Sequence, residues 1–456
     1  MKLLKVFLLI SSQFITLILN LSVQIILANV YSTKDTGVYF AIFALTNILS
    51  SIGLFGINKY YIYIKSRNNS ISVEHAKVIS QLFILINFIC VISLLTWGLL
   101  RFPEYSFFII GNTLILVLTS VIAVLTSIIQ MNNKITIISI FQLLIPSIKV
   151  IGLFLGFYIC SQFFKGYSII VIFLSLGTLY ILHINYIKKY KVNIRNLDGD
   201  YYNTFKTLIP YAFLNIFFTI YTQGNTFYIG VLETSEKAAY FAIAYLFVNT
   251  IFIFPTAIYQ RILAHRLLRL IYKNIDLFKK NYIALQELII LLASVCMFFM
   301  YLFSENIIIA LFGNKYFESI YILKLLLLII PFRLITISIG TILSTNENIY
   351  KRIRAEILIC IVNIGVNFTL IPILGINGAI ISVIITEVLL AIFFTYIIEK
   401  KYEVQINRIT YISILPIIIL IVLNANNFHT LAIELLCLLV SYIPIKRRII
   451  FLWKNL

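Results

Sequence analysis

Negative charge is scarce in this chain. Of its 456 residues only 17 are Asp or Glu, against 36 Lys and Arg. Charged residues make up 12%; a soluble globular domain usually carries roughly 25%. The four histidines (His75, His183, His265, His429) form no His/Asp/Glu constellation in the sequence, which argues against an enzyme. Five cysteines (Cys90, Cys160, Cys296, Cys360, Cys437) lie in or at the ends of apolar runs, without metal or disulfide spacing. They read as small apolar packing residues. No segment is long enough to form a separate soluble domain. The net charge of +19 is therefore weak evidence for nucleic-acid binding, and no nucleic-acid partner is expected.

What the chain has is apolar sequence: 61% hydrophobic residues and a mean hydropathy of +1.01. A membrane-crossing helix needs about 20 mostly apolar residues. Fourteen such spans are predicted, at 6–29, 37–59, 78–100, 107–130, 135–158, 166–187, 207–230, 238–261, 282–303, 319–343, 353–374, 378–398, 409–423 and 429–445. The first is longer than a signal-peptide core of roughly 7–15 residues and reads as a retained span. The cations then sort by side. Twenty-eight of the 36 fall at the termini and in loops after even spans; five (Lys34, Arg101, Lys165, Lys237, Lys315) fall on the other side; Lys149, Lys324 and Arg333 lie within spans. By the positive-inside rule both termini are cytoplasmic. The expected location is the cell (inner) membrane.

The chain also repeats itself. Residues 30–45, VYSTKDTGVYFAIFAL, match 231–246, VLETSEKAAYFAIAYL, at seven of sixteen positions. A weaker block begins at Gly166 and again at Gly378, ending in Lys188-Lys189-Tyr190 and Lys400-Lys401-Tyr402. These blocks predict two six-span lobes, 1–190 and 207–402, joined by a cytoplasmic linker at 191–206, with two further spans and a cytoplasmic tail in 403–456. Six is an even number, so the lobes would enter the membrane in the same orientation. They would be related by a pseudo-two-fold along the membrane normal. The fold class expected is an all-α polytopic membrane protein.

Thr36-Gly37-Val38-Tyr39, Asn47-Ile48-Leu49 and Gly53-Leu54-Phe55-Gly56 look like the signature region of polysaccharide flippases. So does Leu370-Ile371-Pro372-Ile373-Leu374-Gly375-Ile376-Asn377-Gly378-Ala379. The chain resembles, over essentially its whole length, the Wzx-type O-antigen and capsule flippases of the multidrug/oligosaccharidyl-lipid/polysaccharide exporter superfamily. The resemblance implies a transporter. Its cargo would be an undecaprenyl-pyrophosphate-linked oligosaccharide, moved by alternating access from the cytoplasmic to the external leaflet for surface polysaccharide synthesis. It implies a multidrug-exporter-like pair of lobes around a polar cavity, lined mainly by spans one, two, seven and eight. Partners implied are the lipid-linked oligosaccharide, membrane lipid, a polysaccharide polymerase and a chain-length regulator.

A pyrophosphate head needs cations that stay charged at low dielectric. Lys59 and Arg261, at nearly equivalent ends of spans two and eight, are candidates; both also read as snorkelling anchors. Lys149 lies deep in span five, beyond Pro146, and the first six spans contain no carboxylate. It reads either as an anion ligand or as an amine satisfied by carbonyls freed near Pro146, with Gln142 helping. Asn20 and Gln24 of span one, Asn58, and Asn215, Gln223 and Asn225 of span seven are candidates for a wet, sugar-binding lining. Interhelical hydrogen bonding is the alternative role. Tyr60, Tyr61, Tyr221 and Tyr228 read as sugar-stacking or interfacial-belt residues. Arg333 and Glu387 are expected to form a buried pair; the alternative is a protonation site at Glu387. Lys324 reads as snorkelling, and Glu287 and Glu356 as interfacial. No cofactor or metal is expected, and coupling to H⁺ or Na⁺ stays open.

Four other classes stand beside this one. A lipid II flippase would share the head group. A drug/cation antiporter would be expected to carry carboxylates in the first lobe. A glycan polymerase or ligase would be expected to carry a sizeable external loop with catalytic residues. A scaffold would not need polar spans one and seven.

Overall fold

A bilayer offers backbone groups no water, so each span must satisfy its own N–H and C=O groups, and helices do this. The computed structural model is all-α. It describes residues 2–66, 73–131, 135–159, 163–187, 201–259, 263–343 and 348–404. Predicted spans thirteen and fourteen lie outside the described residues. Eleven described helical segments are long and apolar enough to cross a membrane, which makes this a multi-pass membrane protein.

The chain divides into two compact units, Met1–Phe227 and Tyr228–Leu456. Unit 1 contains α1 (Lys2–Val30), α2 (Thr33–Leu54), α3 (Ile57–Ser66), α4 (Val73–Arg101), α5 (Ser106–Met131), α6 (Ile135–Ile159) and α7 (Phe163–Leu182). It also takes in most of α8 (Tyr201–Leu232). Unit 2 contains α9 (Ser235–Ile258), α10 (Ala264–Lys273), α11 (Ile275–Phe312), α12 (Glu318–Leu326), α13 (Ile330–Leu343), α14 (Ile349–Leu374) and α15 (Ile376–Tyr402). The division falls inside α8, whereas the sequence repeats place a linker at 191–206.

The two units share part of their packing plan. In unit 1, α2 and α4 lean on α5, and α5 and α6 lean on α7. In unit 2, α9 and α11 lean on α12 and α13, and α13 and α14 lean on α15. The repeated block occupies the same place in both. Ser32 caps α2 by accepting from the Asp35 N–H, and Thr234 caps α9 by accepting from the Lys237 N–H. Such caps satisfy one otherwise orphaned donor. Phe40, Ala41 and Ile42 are then buried in unit 1, and Phe241, Ala242 and Ile243 in unit 2.

Two features depart from the sequence reading. Predicted span two is not one helix. It breaks between α2 and α3, where Phe55 (φ 41°) and Gly56 (φ 69°) turn left-handed. Positive φ is costly for a residue with a Cβ, and Gly56 makes the turn cheaper. Predicted span ten is likewise split, by a short 3₁₀ turn at Leu327–Ile329.

Candidate functional site

Helix α6 carries Gln142 and Lys149, two turns apart and so on one face. Pro146 lies between them. A proline lacks the N–H that would bind the carbonyl four residues earlier, here that of Gln142. Thr16 of α1 fills the gap by donating to that carbonyl at 3.3 Å, and Ser12 donates to Gln142 Oε1 at 3.0 Å. The freed carbonyl is thus taken from α1, and Lys149 does not use it.

Lys149 is only 3% exposed. Its Nζ sits 3.7 Å from the centre of the Phe43 ring on α2. Phe43 in turn stacks on Tyr39, with centroids 6.0 Å apart. Among the described residues Lys149 makes no ion pair and no hydrogen bond. A desolvated cation–π contact is worth about 2 kcal/mol. Placing a cation at membrane depth costs about 2.5–3.5 kcal/mol on insertion scales, and more on others. The ring alone does not offset that cost. Asn20 and Gln24 continue the Ser12–Thr16 stripe of α1 at four-residue spacing. Both are half-buried, with no hydrogen bond among the described residues.

A second polar group gathers where the α2–α3 elbow meets α8. A Cβ on Gly56 would lie 2.3 Å from the Ala212 backbone nitrogen, so the elbow fits against α8 only without a side chain. This approach lets Asn215 Nδ2 donate to Asn58 Oδ1 at 3.3 Å and Thr219 Oγ1 donate to Ser51 Oγ at 3.1 Å. Asn58 Oδ1 also accepts from the Lys59 N–H at 2.9 Å. Lys59 is half-buried on α3, not at the end of a continuous span two. Arg261 lies outside the described residues. Gln223 is half-buried with no hydrogen bond among them. Asn225 is buried and donates to Tyr221 O at 2.9 Å, one turn back on its own helix.

In unit 2, Arg333 Nη1 meets Glu387 Oε1 at 2.5 Å, with both side chains buried. The guanidinium also lies 5.9 Å from the Phe252 ring centre. The second oxygen of Glu387 has no hydrogen-bond partner among the described residues.

Several sequence expectations need correction. Glu287 (3% exposed) and Glu356 (1% exposed), read as interfacial, are buried within the protein. Arg352 pairs with Glu356 at 2.7 Å and donates to Gly340 O at 2.8 Å. Tyr60, Tyr221 and Tyr228 are buried rather than on a belt; Tyr60 packs on Tyr211 and Tyr228 on Phe368. Lys324 is half-buried and lies over the Tyr301 ring at 4.8 Å. Sequence reasoning also missed three polar contacts. Phe43 is one; it carries no polar signal. Another is the bond from Gln286 Nε2 to Ser338 Oγ, at 2.7 Å. The third is a buried trio in which Asn363 and Asn367 both donate to Ser382 Oγ, at 3.2 and 2.8 Å. The i, i+4 spacing of the two asparagines was its only visible trace.

No family model matches the chain, and no curated protein matches it by sequence. Solved structures do match by fold. A lipid II flippase, MurJ, in an inward closed conformation aligns over 96% of this chain and 98% of its own, with a TM-score of 0.60 at 16% identity. An inward-facing multidrug resistance transporter of the MATE family, in the MOP superfamily, covers 85% of this chain and 94% of its own, with a TM-score of 0.65 at 12% identity. A MATE transporter of Vibrio cholerae covers 88% and 98%, with a TM-score of 0.56 at 13% identity. This chain therefore has the all-α membrane fold that these flippases and drug transporters share.

Proposed function

We propose that the protein is a transporter that moves an anionic lipid-linked oligosaccharide, with an undecaprenyl-pyrophosphate head, from the cytoplasmic to the external leaflet. The observation that carries this reading is Lys149: a buried ammonium held by one aromatic ring, in a run of six predicted spans without a carboxylate. An exporter of cations would gain nothing from that arrangement. A diphosphate supplies charge-assisted acceptors that the site lacks. Asn20 and Gln24, both without partners among the described residues, suit sugar hydroxyls. Lys59 and Arg261 are proposed as further cations at the entry. Both termini are taken as cytoplasmic, from the distribution of cations.

The Wzx-type cargo is favoured by the residues that resemble that family. A lipid II cargo is the second reading, supported by the likeness to MurJ over nearly the whole chain. The two share a head group and differ in sugar. Deleting the gene and measuring lipid-linked intermediates separates them. Inner-leaflet build-up of a repeat unit, with peptidoglycan precursor unchanged, supports the polysaccharide cargo. Build-up of the peptidoglycan precursor supports the other. Build-up of neither contradicts both.

A further inference from the structure

Helix α10 is unlike the spans around it. Its ten residues, AHRLLRLIYK, are too few to cross an apolar layer of about 30 Å. At 3.6 residues per turn its apolar positions 264, 267, 268, 270 and 271 share one side, and its cations stand at 266, 269 and 273 on the other. The fold uses that division. The helix packs against α11 and α13. Leu267 is buried and Leu270 and Ile271 are half-buried, while Arg269 and Lys273 are exposed. Neither cation makes an ion pair or hydrogen bond among the described residues.

Its depth follows from α11. That helix has 38 residues and so spans about 57 Å, well beyond the roughly 30 Å hydrocarbon layer. Its first turns carry Asp276, Lys279 and Lys280 and precede the predicted span 282–303, so that span places them outside the layer. One residue, Asn274, joins α10 to them. The Asn274 N–H donates to Leu270 O at 2.8 Å, and its Oδ1 accepts from the Leu277 N–H at 3.0 Å. One residue thus ends one helix and starts the next, and ties α10 to the first turn of α11.

We propose that α10 is an in-plane helix that seats anionic phospholipid headgroups on Arg269 and Lys273. With the apolar side held by α11 and α13, the exposed cations at headgroup depth complement bulk anionic lipid. This is a site for the surrounding membrane and not for cargo. On the topology proposed above, the lipid belongs to the cytoplasmic leaflet. A cation near such a surface is worth about fivefold in binding.

The test uses the full chain in nanodiscs of phosphatidylcholine and phosphatidylglycerol, with retained lipid read by native mass spectrometry. The wild type is expected to retain phosphatidylglycerol selectively. The double variant Arg269→Gln/Lys273→Gln should lose affinity for it by about 30-fold, at unchanged thermal stability, since both side chains are exposed. Arg269→Lys, which keeps the charge, should keep it. Excess inorganic phosphate should not displace it. Equal retention by the double variant, or displacement by phosphate, would each overturn the proposal.

Discussion

The ammonium of Lys149 on α6 lies against the ring of Phe43 on α2, and no carboxylate pairs with it among the described residues. A buried, uncompensated cation is an expense to the fold. Replacing it with an apolar side chain of similar length removes that cost. Lys149→Met should therefore unfold at a temperature equal to or above that of the wild type, with a gain of about 1–3 kcal/mol on denaturation. A clear loss of stability in Lys149→Met would mean the amine is structural.

Arg333 and Glu387 are the opposite case, a buried pair at 2.5 Å. Removing one partner leaves the other charge alone in the interior, so Arg333→Met or Glu387→Met should each cost about 3–5 kcal/mol. The double variant Arg333→Met/Glu387→Met should recover most of that. Thermal unfolding of the purified protein and its three variants completes the cycle. Additive losses in the double variant would show that the two side chains do not act as a pair.

How much of this was legible follows the same physical line. Hydropathy is a local sum, so the spans forming α1, α4, α5 and α6 were visible in it, as was the polar character of α8. The break at Phe55–Gly56 was not. It depends on two backbone torsions, and averaging over 37–59 hides them, although the glycine was there to read. Glu287 and Glu356 seemed interfacial because the predicted spans began close to them. The packing of neighbouring helices buries both carboxylates, and a local sum does not show it. Lys149 was conspicuous as a deep cation; its surroundings were not. Phe43 is over a hundred positions away, and the claim of Thr16 on the Gln142 carbonyl requires the packing of α1 on α6. The expectation for the Arg333 and Glu387 pair needed only two opposite charges in one lobe.

Gly56 is held at φ 69°, with the Ala212 backbone where a Cβ would go. An L-residue in that region costs about 1–2 kcal/mol before any clash. Gly56→Ala should lower the unfolding temperature and expression in the membrane. Gly177→Ala, where no atom lies within 4 Å of the added carbon, should be neutral or stabilise by up to about 1 kcal/mol. Equal behaviour of the two would mean that the elbow does not require glycine.

The orientation proposed from the cations has its own check. Single cysteines placed in a cysteine-free background at Asn274, Lys237 and Asn314 report the side on which each lies. Position 274 should react with an impermeant thiol reagent only from the cytoplasm, and positions 237 and 314 only from outside. Reversed labelling would invert the direction of transport.

The most direct test of the anion site is flipping of a lipid-linked pyrophosphate oligosaccharide in proteoliposomes containing purified protein. A charge-assisted contact is worth about 1.5–3 kcal/mol, so Lys149→Gln should weaken handling of the pyrophosphate cargo by about 10- to 150-fold. Lys149→Arg should retain a larger share, and Lys324→Gln, which removes a cation that lies over the Tyr301 ring, should stay close to the wild type. If Lys149→Gln, folded and present in equal amount, flips the pyrophosphate-linked cargo at the wild-type rate, Lys149 does not hold the anion.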